Sequence, residues 1–293
     1  MLWPKSLKNK IRKDIRLADH TSFRIGGRAK YFFEPEDADA LREALIFARE
    51  SGMRVFILGS GTNILADDSG VDGLVIRLGG RGFCGCVRKG NRIIAGSGLK
   101  LSKLVLFSRR EGLGGLEFLA GIPGSVGGSL AGNAGAWGKS IAQAVSRAGV
   151  LDYRGRLRII SSGAMKFSYR RCSLEKFIVL WAEFKLRHAA EAEVAGRIAD
   201  YLERRRQSQG DRLPSAGCAF KNPAGKSAGK LIDLCGLKGV KAGQAVVSLK
   251  HANFILNSGK AKSGDVLALM GLMRKDVKNK FGITMETEVK IWK

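Results

Sequence analysis

The chain has 293 residues, 45% hydrophobic and 26% charged, an ordinary globular composition with room for two or three domains. Its formal net charge is +25, and its longest apolar run, residues 177–182, is far too short to cross a bilayer, so no membrane insertion is expected. Five cysteines, Cys84, Cys86, Cys172, Cys218 and Cys235, form no CxxC pair, which excludes the usual zinc and dithiol motifs. Reduced thiols, no metal and a cytoplasmic location are expected.

Lys5, Lys8, Lys10, Arg12, Lys13 and Arg16 concentrate positive charge at the start, relieved by Asp14. Such a run serves as a nucleic-acid or anionic-lipid patch, or is the solvated basic surface of a protein with polyanionic ligands. No Lys/Arg run interleaved with aromatics and no RNP, zinc-finger or zipper pattern appears, so no specific nucleic acid is expected. The start also lacks the apolar stretch of a secretion signal.

Residues 21–27 then lead into the apolar Tyr31-Phe32-Phe33. Glu34-Pro35-Glu36-Asp37 sets acids and a proline where a helix start tolerates them, and Leu41, Leu45 and Ala48 predict one apolar face, stopped by Gly52. Residues 55–58 read as a short buried strand, and residues 74–78 as another. From 83 to 187 the texture is short strands and turns around a glycine-dense centre. Val194, Ile198 and Leu202 predict a helix over 191–206, with 189–210 the passage into another domain. Ser227 to Cys235 reads as a short helix closed by Gly236, and residues 254–257 as a strand. Ser263 is the expected N-cap of a helix striped by Val266, Met270, Met273 and Val277 and ended by Gly282. The last segment alternates, with Met285, Thr287, Val289 and Ile291 on one face and Glu286, Glu288 and Lys290 on the other.

Two stretches carry chemistry. The strand 55–58 runs directly into Gly59-Ser60-Gly61-Thr62-Asn63-Ile64. A strand ending this way lets backbone approach a phosphate, but it is neither GxGxxG nor a P-loop, and a plain glycine turn has the same composition. The second stretch, Gly112 to Gly138, holds ten glycines in 27 residues, including Gly121-Ile122-Pro123-Gly124-Ser125-Val126-Gly127-Gly128 and Asn133-Ala134-Gly135. Glycines this dense weaken a packed core and are tolerated where main chain lies against something flat or charged, such as a large cofactor with a pyrophosphate. Ile122, Val126, Leu130 and Trp137 argue against a flexible linker.

Together these motifs resemble the FAD-binding half of the UDP-N-acetylenolpyruvoylglucosamine reductase family. Phe167-Ser168-Tyr169-Arg170, residues 214–223 and Glu286-Thr287-Glu288-Val289 match the same family in order and spacing, so the resemblance spans roughly residues 20 to 292. It implies non-covalent FAD, with NADPH as reductant. Hydride from the reduced flavin enters an enolpyruvyl ether on UDP-N-acetylglucosamine and yields the lactyl ether. Negative charge then grows on an enolate, which needs a fixed cation, hydrogen-bond donors and a positioned acid.

By this resemblance Arg170 is the cation, Cys218 stands where the family usually has a serine as proton donor, and Glu288 works with both around the enolate. A thiol is a better acid than a hydroxyl, although from the residues alone Cys218 is equally a buried structural thiol. Tyr169, Lys221, Asn222 and Asn253 would contact the nucleotide-sugar. The flavin would lie on Gly59, Ser60, Gly61, Thr62, Asn63 and Ile64, and on Gly121, Ile122, Pro123, Gly124, Ser125, Gly127, Gly128, Asn133 and Gly135. Trp137 stands where tyrosine is usual, and no inserted tyrosine-bearing loop follows Tyr169, so the chain resembles the shorter branch of the family.

The fold implied is α+β in three parts, related to vanillyl-alcohol-oxidase-like (PCMH-like) flavoproteins. Residues 1–79 and 80–190 would hold the flavin, 191–280 would form a substrate domain, and a strand within 281–293 would return to the first part. A monomer is expected. The alternative, another FAD-dependent oxidoreductase of this fold acting on a sugar or alcohol, often tethers flavin through histidine. Here His20, His188 and His251 all lie outside the glycine-rich segments. A basic nucleic-acid-binding protein on a retired flavin fold is the other rival, and Arg170 and Glu288 speak against it.

Overall fold

The structure is a computed structural model that describes residues 3–209 and 213–293. The chain divides into two compact units: Met1–Lys13, Tyr31–Ser60 and Gly73–Arg205 form one, and Asp14–Lys30, Gly61–Asp72 and Arg206–Lys293 the other.

In the first unit the helix Ala38–Glu50 begins where the acids announced it, with the Asp37 carboxylate accepting the Ala40 N–H at 2.8 Å. Its face of Leu41, Ala44, Leu45 and Ala48 packs with Phe33, Leu74 and Ile76. The strand Val55–Leu58 lies parallel to Val71–Arg77, Val55 opposite Leu74 and Leu58 opposite Arg77. The basic start of the chain is anchored here: Leu7 is fully buried, and the Trp3 ring stands 4.5 Å from Phe47 and 5.3 Å from Tyr31.

A five-stranded antiparallel sheet forms the other core of this unit, in the order Leu157–Ser161, Val145–Leu151, Ile178–Lys185, Arg92–Gly96, Cys86–Lys89. Ala148, Val150, Ala182, Phe184, Ile93 and Ala95 turn one face inward against Leu101, Leu104 and Val105. Those last three belong to a helix, Leu101–Arg110, in a stretch expected to hold only strands and turns. The helix Glu191–Gln209 buries Val194 and Ile198 in the same core, but Leu202 is 46% exposed, so the stripe ends after two turns. Residues through Arg205 belong to this unit rather than to a passage out of it; Gly210, the far end of that expected passage, lies outside the described residues.

The second unit gathers the helices Ala228–Leu234 and Ser263–Phe281 and the small sheet Lys241–Ala242, Ala245–Val247, Ile255–Asn257 around Phe220, Ile232, Val266, Met273 and Val277. Gly282 ends the long helix in the left-handed region, as expected. Ser263 does not cap it. Lys262 holds the N-cap position, and Ser263 spends its hydroxyl and its N–H on the Asp68 carboxylate at 2.9 and 2.8 Å. The closing alternation also breaks. Met285 and Val289 are buried, but Ile291 is 38% exposed and Trp292 is buried in its place. Residues 285–290 keep the expected alternation, with Met285 and Val289 buried and Glu286 and Lys290 exposed, and it fails only at Ile291 and Trp292, within the strand Lys290–Trp292 that runs parallel to Ile64–Ala66.

One buried carboxylate ties the five-stranded sheet together. Glu183, 2% exposed, accepts Arg92 Nη1 at 2.7 Å, Arg147 Nη2 at 2.8 Å and Ser146 Oγ at 2.7 Å. Burial pushes its carboxyl up, but hydrogen bonds from Arg147, Ser146 and Arg92 outweigh that and hold it below the usual glutamate value. A carboxyl depressed in the folded state contributes stability above its unfolded pKa, near 4.3, and that contribution is lost as pH falls through the folded value. Glu183→Gln should therefore cost about 2 kcal/mol at neutral pH. In thermal unfolding the gap between parent and variant should narrow steadily once the pH drops below about 4.

Candidate active site

In the first unit the two glycine-rich stretches meet. Gly59, at the end of strand Val55–Leu58, lies so close to Ser125 that an added Cβ would stand 2.5 Å from its Oγ. Ser125 is the N-cap of the short helix Val126–Ala131 and accepts the Gly128 N–H at 3.4 Å. Residues 97–101 run antiparallel beside residues 124–127: Leu101 N–H donates to Gly124 O, Val126 N–H to Leu99 O and Gly127 N–H to Ser97 O, at 2.8–3.0 Å. The first N–H groups of that helix are thus already used. Gly121 and Trp137 lie beside the helix Glu191–Gln209, where Trp137 stacks on Tyr201 at 5.1 Å and under the Arg205 guanidinium at 5.1 Å.

Tyr169 and Arg170 form the two-residue turn of a hairpin, between Phe167–Ser168 and Arg171–Cys172. Arg170 takes φ +56°, a left-handed conformation that costs a non-glycine residue about 1 kcal/mol or more. Its Nη1 donates to Gly135 O at 3.2 Å, and its guanidinium sits 5.3 Å from the Tyr169 ring centre. Asn133, also left-handed, donates Nδ2 to Ser168 O at 2.9 Å. The turn that presents Arg170 is therefore pinned to the glycine-rich segment at two points.

In the second unit a backbone ladder brings the other candidates together. Ala219 N–H donates to Asn253 O at 2.8 Å, Glu288 N–H to Ala219 O at 2.9 Å and Lys221 N–H to Glu286 O at 2.8 Å. Asn63 Nδ2 reaches Glu288 O at 3.3 Å, and Lys290 N–H returns to Asn63 O at 3.0 Å. Cys218, half-buried and outside any disulfide, is thereby one residue from the rung that carries Glu288. Lys221 Nζ pairs with Glu286 Oε1 at 2.7 Å. Two expected substrate contacts have structural duties. The Asn222 side-chain oxygen accepts the Ala228 N–H at 2.9 Å, and the Asn253 amide bonds both Phe220 N–H and Phe220 O, at 3.0 and 2.7 Å. Ile64 is buried in its strand beside Lys290.

Sequence reasoning missed Arg274 and Ser97. Arg274 donates Nη2 to Thr287 Oγ1 at 2.7 Å and lies over the Phe220 ring at 5.6 Å, clamping the ladder from the long helix. Nothing local marks it beyond an arginine beside an apolar stripe. Ser97 carried a signal: the strand Arg92–Gly96 runs into Ser97-Gly98, the same strand-to-Gly-Ser-Gly passage as Val55–Leu58 into Ser60-Gly61.

Among the buried polar atoms of the first unit that make no hydrogen bond to the described residues are Asn133 Oδ1 and Ser97 Oγ. Orphaned acceptors beside close-packed glycine backbone fit a large polar ligand. Among the described residues no cluster of three or more His, Cys, Asp or Glu could hold a metal, and no helix is long and apolar enough to cross a membrane.

Residues 29–161 match the FAD binding domain model, so the chain carries an FAD-binding domain and falls in the class of α+β flavoproteins. Residues 207–292 match the model described as UDP-N-acetylenolpyruvoylglucosamine reductase, C-terminal domain. UDP-N-acetylenolpyruvoylglucosamine reductase 2 of Symbiobacterium thermophilum is 45% identical over 285 residues, 97% of this chain and 92% of the relative. The reductase of Clostridium novyi is 38% identical over 286 residues, again 97% and 92%. The crystal structure of the Thermus caldophilus reductase superposes with a TM-score of 0.84 at 37% identity, covering 97% of this chain and all of that one. The chain belongs to the UDP-N-acetylenolpyruvoylglucosamine reductase family, oxidoreductases of peptidoglycan precursor synthesis.

Gly61 is the most constrained point of the glycine-rich stretch 59–64. It has φ +66°, and an added Cβ would overlap the His20 carbonyl oxygen. Gly61→Ala should weaken flavin retention about tenfold, from 1–2 kcal/mol of strain. The ratio of flavin to protein absorbance after dialysis measures it.

Proposed function

We propose that this chain reduces UDP-N-acetylglucosamine enolpyruvate to UDP-N-acetylmuramate with NADPH, as a cytoplasmic monomer. The observation that best supports a shared chemistry is the ladder joining Asn63, in the proposed flavin segment, to Glu288 and to the segment that carries Cys218. When bound, FAD reduced by NADPH supplies the hydride that enters the terminal carbon of the enolpyruvyl ether.

Gly59 to Ile64, Gly121 to Ser125, Gly127, Gly128, Asn133 and Gly135 hold the cofactor by close backbone approach, with Asn133 Oδ1 and Ser97 Oγ as acceptor or donor atoms awaiting it. Arg170 binds the substrate carboxylate. Its charge is held in place by Gly135 O and the Tyr169 ring, so it needs little rearrangement as negative charge moves onto the enolate. Cys218 then gives its proton to the carbon beside the carboxylate, and the thiolate left behind is reprotonated from solvent. Glu288 orients the groups around the enolate. Tyr169, 51% exposed, lies near the nucleotide-sugar, which residues 191–280 bind together with Lys221 and Asn222. Asn253 acts through the backbone it fixes.

Separated half-reactions test this. Cys218→Ser should retain substantial turnover. Cys218→Ala should be reduced by NADPH at the parent rate, yet return its flavin to the oxidised form about 100- to 10,000-fold more slowly when anaerobic enolpyruvyl substrate is mixed in. Unchanged reoxidation in the alanine variant would remove Cys218 from the mechanism.

A further inference from the structure

The five-stranded sheet of the first unit has a second face, and its register defines what lies there. Ile159 pairs with Gly149, Gly149 with Trp181, and Trp181 with Gly96; the next rung runs Ser161, Arg147, Glu183, Ile94, Val87. Side chains alternate across a strand, so Leu157, Ile159, Trp181 and Val87 point away from the core that holds Ala148, Ala182 and Ala95. Leu157 is 65% exposed, Ile159 62% and Val87 51%. Trp181 lies so closely across Gly149 that an added Cβ there would overlap the indole. Leu157, Ile159 and Val87 stand open, while Trp181 is partly buried against the cluster of Leu45, Leu151 and Leu180; large apolar side chains gathered on one face mark a contact surface rather than scattered exposure.

The charge on this face is predominantly positive. Arg147 and Arg92 flank Glu183, the one acid among the outward residues of these paired strands, and Lys185, Arg92 and Lys89 form the next rung. A second copy of the chain would set these cations against one another. Nucleic acid would use the cations and leave Leu157 and Ile159 in water. An anionic lipid surface uses both, with phosphates on the cations, aliphatic side chains at the acyl boundary and the indole between them. The net charge of +25, which the reductase chemistry leaves unexplained, supplies the long-range attraction.

We propose that this sheet face docks the enzyme on an anionic lipid surface. The FAD-loaded full chain is sedimented with vesicles of phosphatidylglycerol and phosphatidylcholine mixed, and of phosphatidylcholine alone, at about 0.15 M salt. Association with the anionic vesicles only is expected, and Leu157→Ser with Ile159→Ser should lower it about tenfold at unchanged flavin content. Vesicles with brominated acyl chains should quench tryptophan fluorescence in the parent and not in Trp181→Phe, which reports on the same face without touching Leu157 or Ile159. Absent association at that salt, equal association of the double variant, or quenching that survives in Trp181→Phe would each overturn the proposal. So would a single-stranded oligonucleotide that binds the parent and loses as much affinity in the double variant, since the face would then serve nucleic acid.

Discussion

Asn253 is 1% exposed, and its side-chain amide closes on Phe220 from both directions, accepting the Phe220 N–H and donating to the Phe220 carbonyl. A side chain that imitates a backbone rung in this way satisfies four buried polar groups at once, and losing it would leave the Phe220 N–H and carbonyl unpaired at about 1–3 kcal/mol each. Residues 218–221 are thereby fixed in extended form without belonging to a regular strand. The candidate residues of the second unit hang from that short segment: the Ala219 carbonyl accepts the Glu288 N–H, the Lys221 N–H donates to the Glu286 carbonyl, and the Glu288 carbonyl in turn accepts Asn63 Nδ2. Arg274 closes the assembly from the helix side through Thr287 and the Phe220 ring. The backbone that carries the candidate proton donor sits within a lattice of main-chain bonds.

The first unit reaches the same end by strain. Among the described residues five that are not glycine have positive φ, and Asn133, Trp137 and Arg170 are three of them, all within or beside the candidate flavin and substrate segments. Each such conformation persists only where its surroundings over-determine it. Asn133 is held by Ser168, Trp137 by Tyr201 and Arg205, and Arg170 by Gly135 and Tyr169. The cation expected at the enolate is thus placed by a turn that hydrogen bonds and stacking keep from relaxing.

How much of this the residues announced depended on whether the signal was local. Asp37 and the spacing of Leu41, Leu45 and Ala48 carried the first long helix, because capping and a 3.6-residue period act within one segment. Leu101, Leu104 and Val105 have the same spacing, but Gly96, Gly98 and Gly112 around them made the stretch look like turns. The glycine-rich segments stood out by composition, and their close approach follows from the missing side chains. The ladder did not stand out. Its side-chain contacts join residues 33 and 65 positions apart, and no pattern in one short window reports such a pairing. Asn222 and Asn253 were readable as polar residues near a motif, but not as a helix cap and a backbone clasp. Ile291 and Trp292 show the limit of periodicity: within the strand Lys290–Trp292 it is Trp292 that is buried and Ile291 that is left 38% exposed, the reverse of the faces that alternation assigned.

The strand Lys290–Trp292 lies parallel to Ile64–Ala66, and the segments that make up the second unit are drawn from three separated stretches of chain. During synthesis the ribosome delivers Ile64 to Ala66 more than two hundred positions before the residues that flank them. The Asn63 carbonyl waits as long for the Lys290 N–H. Pairings of such separation form late, because chain entropy must be spent before the contact exists. The nascent protein therefore carries an open strand edge at Ile64–Ala66 until Lys290–Trp292 has emerged to pair with it.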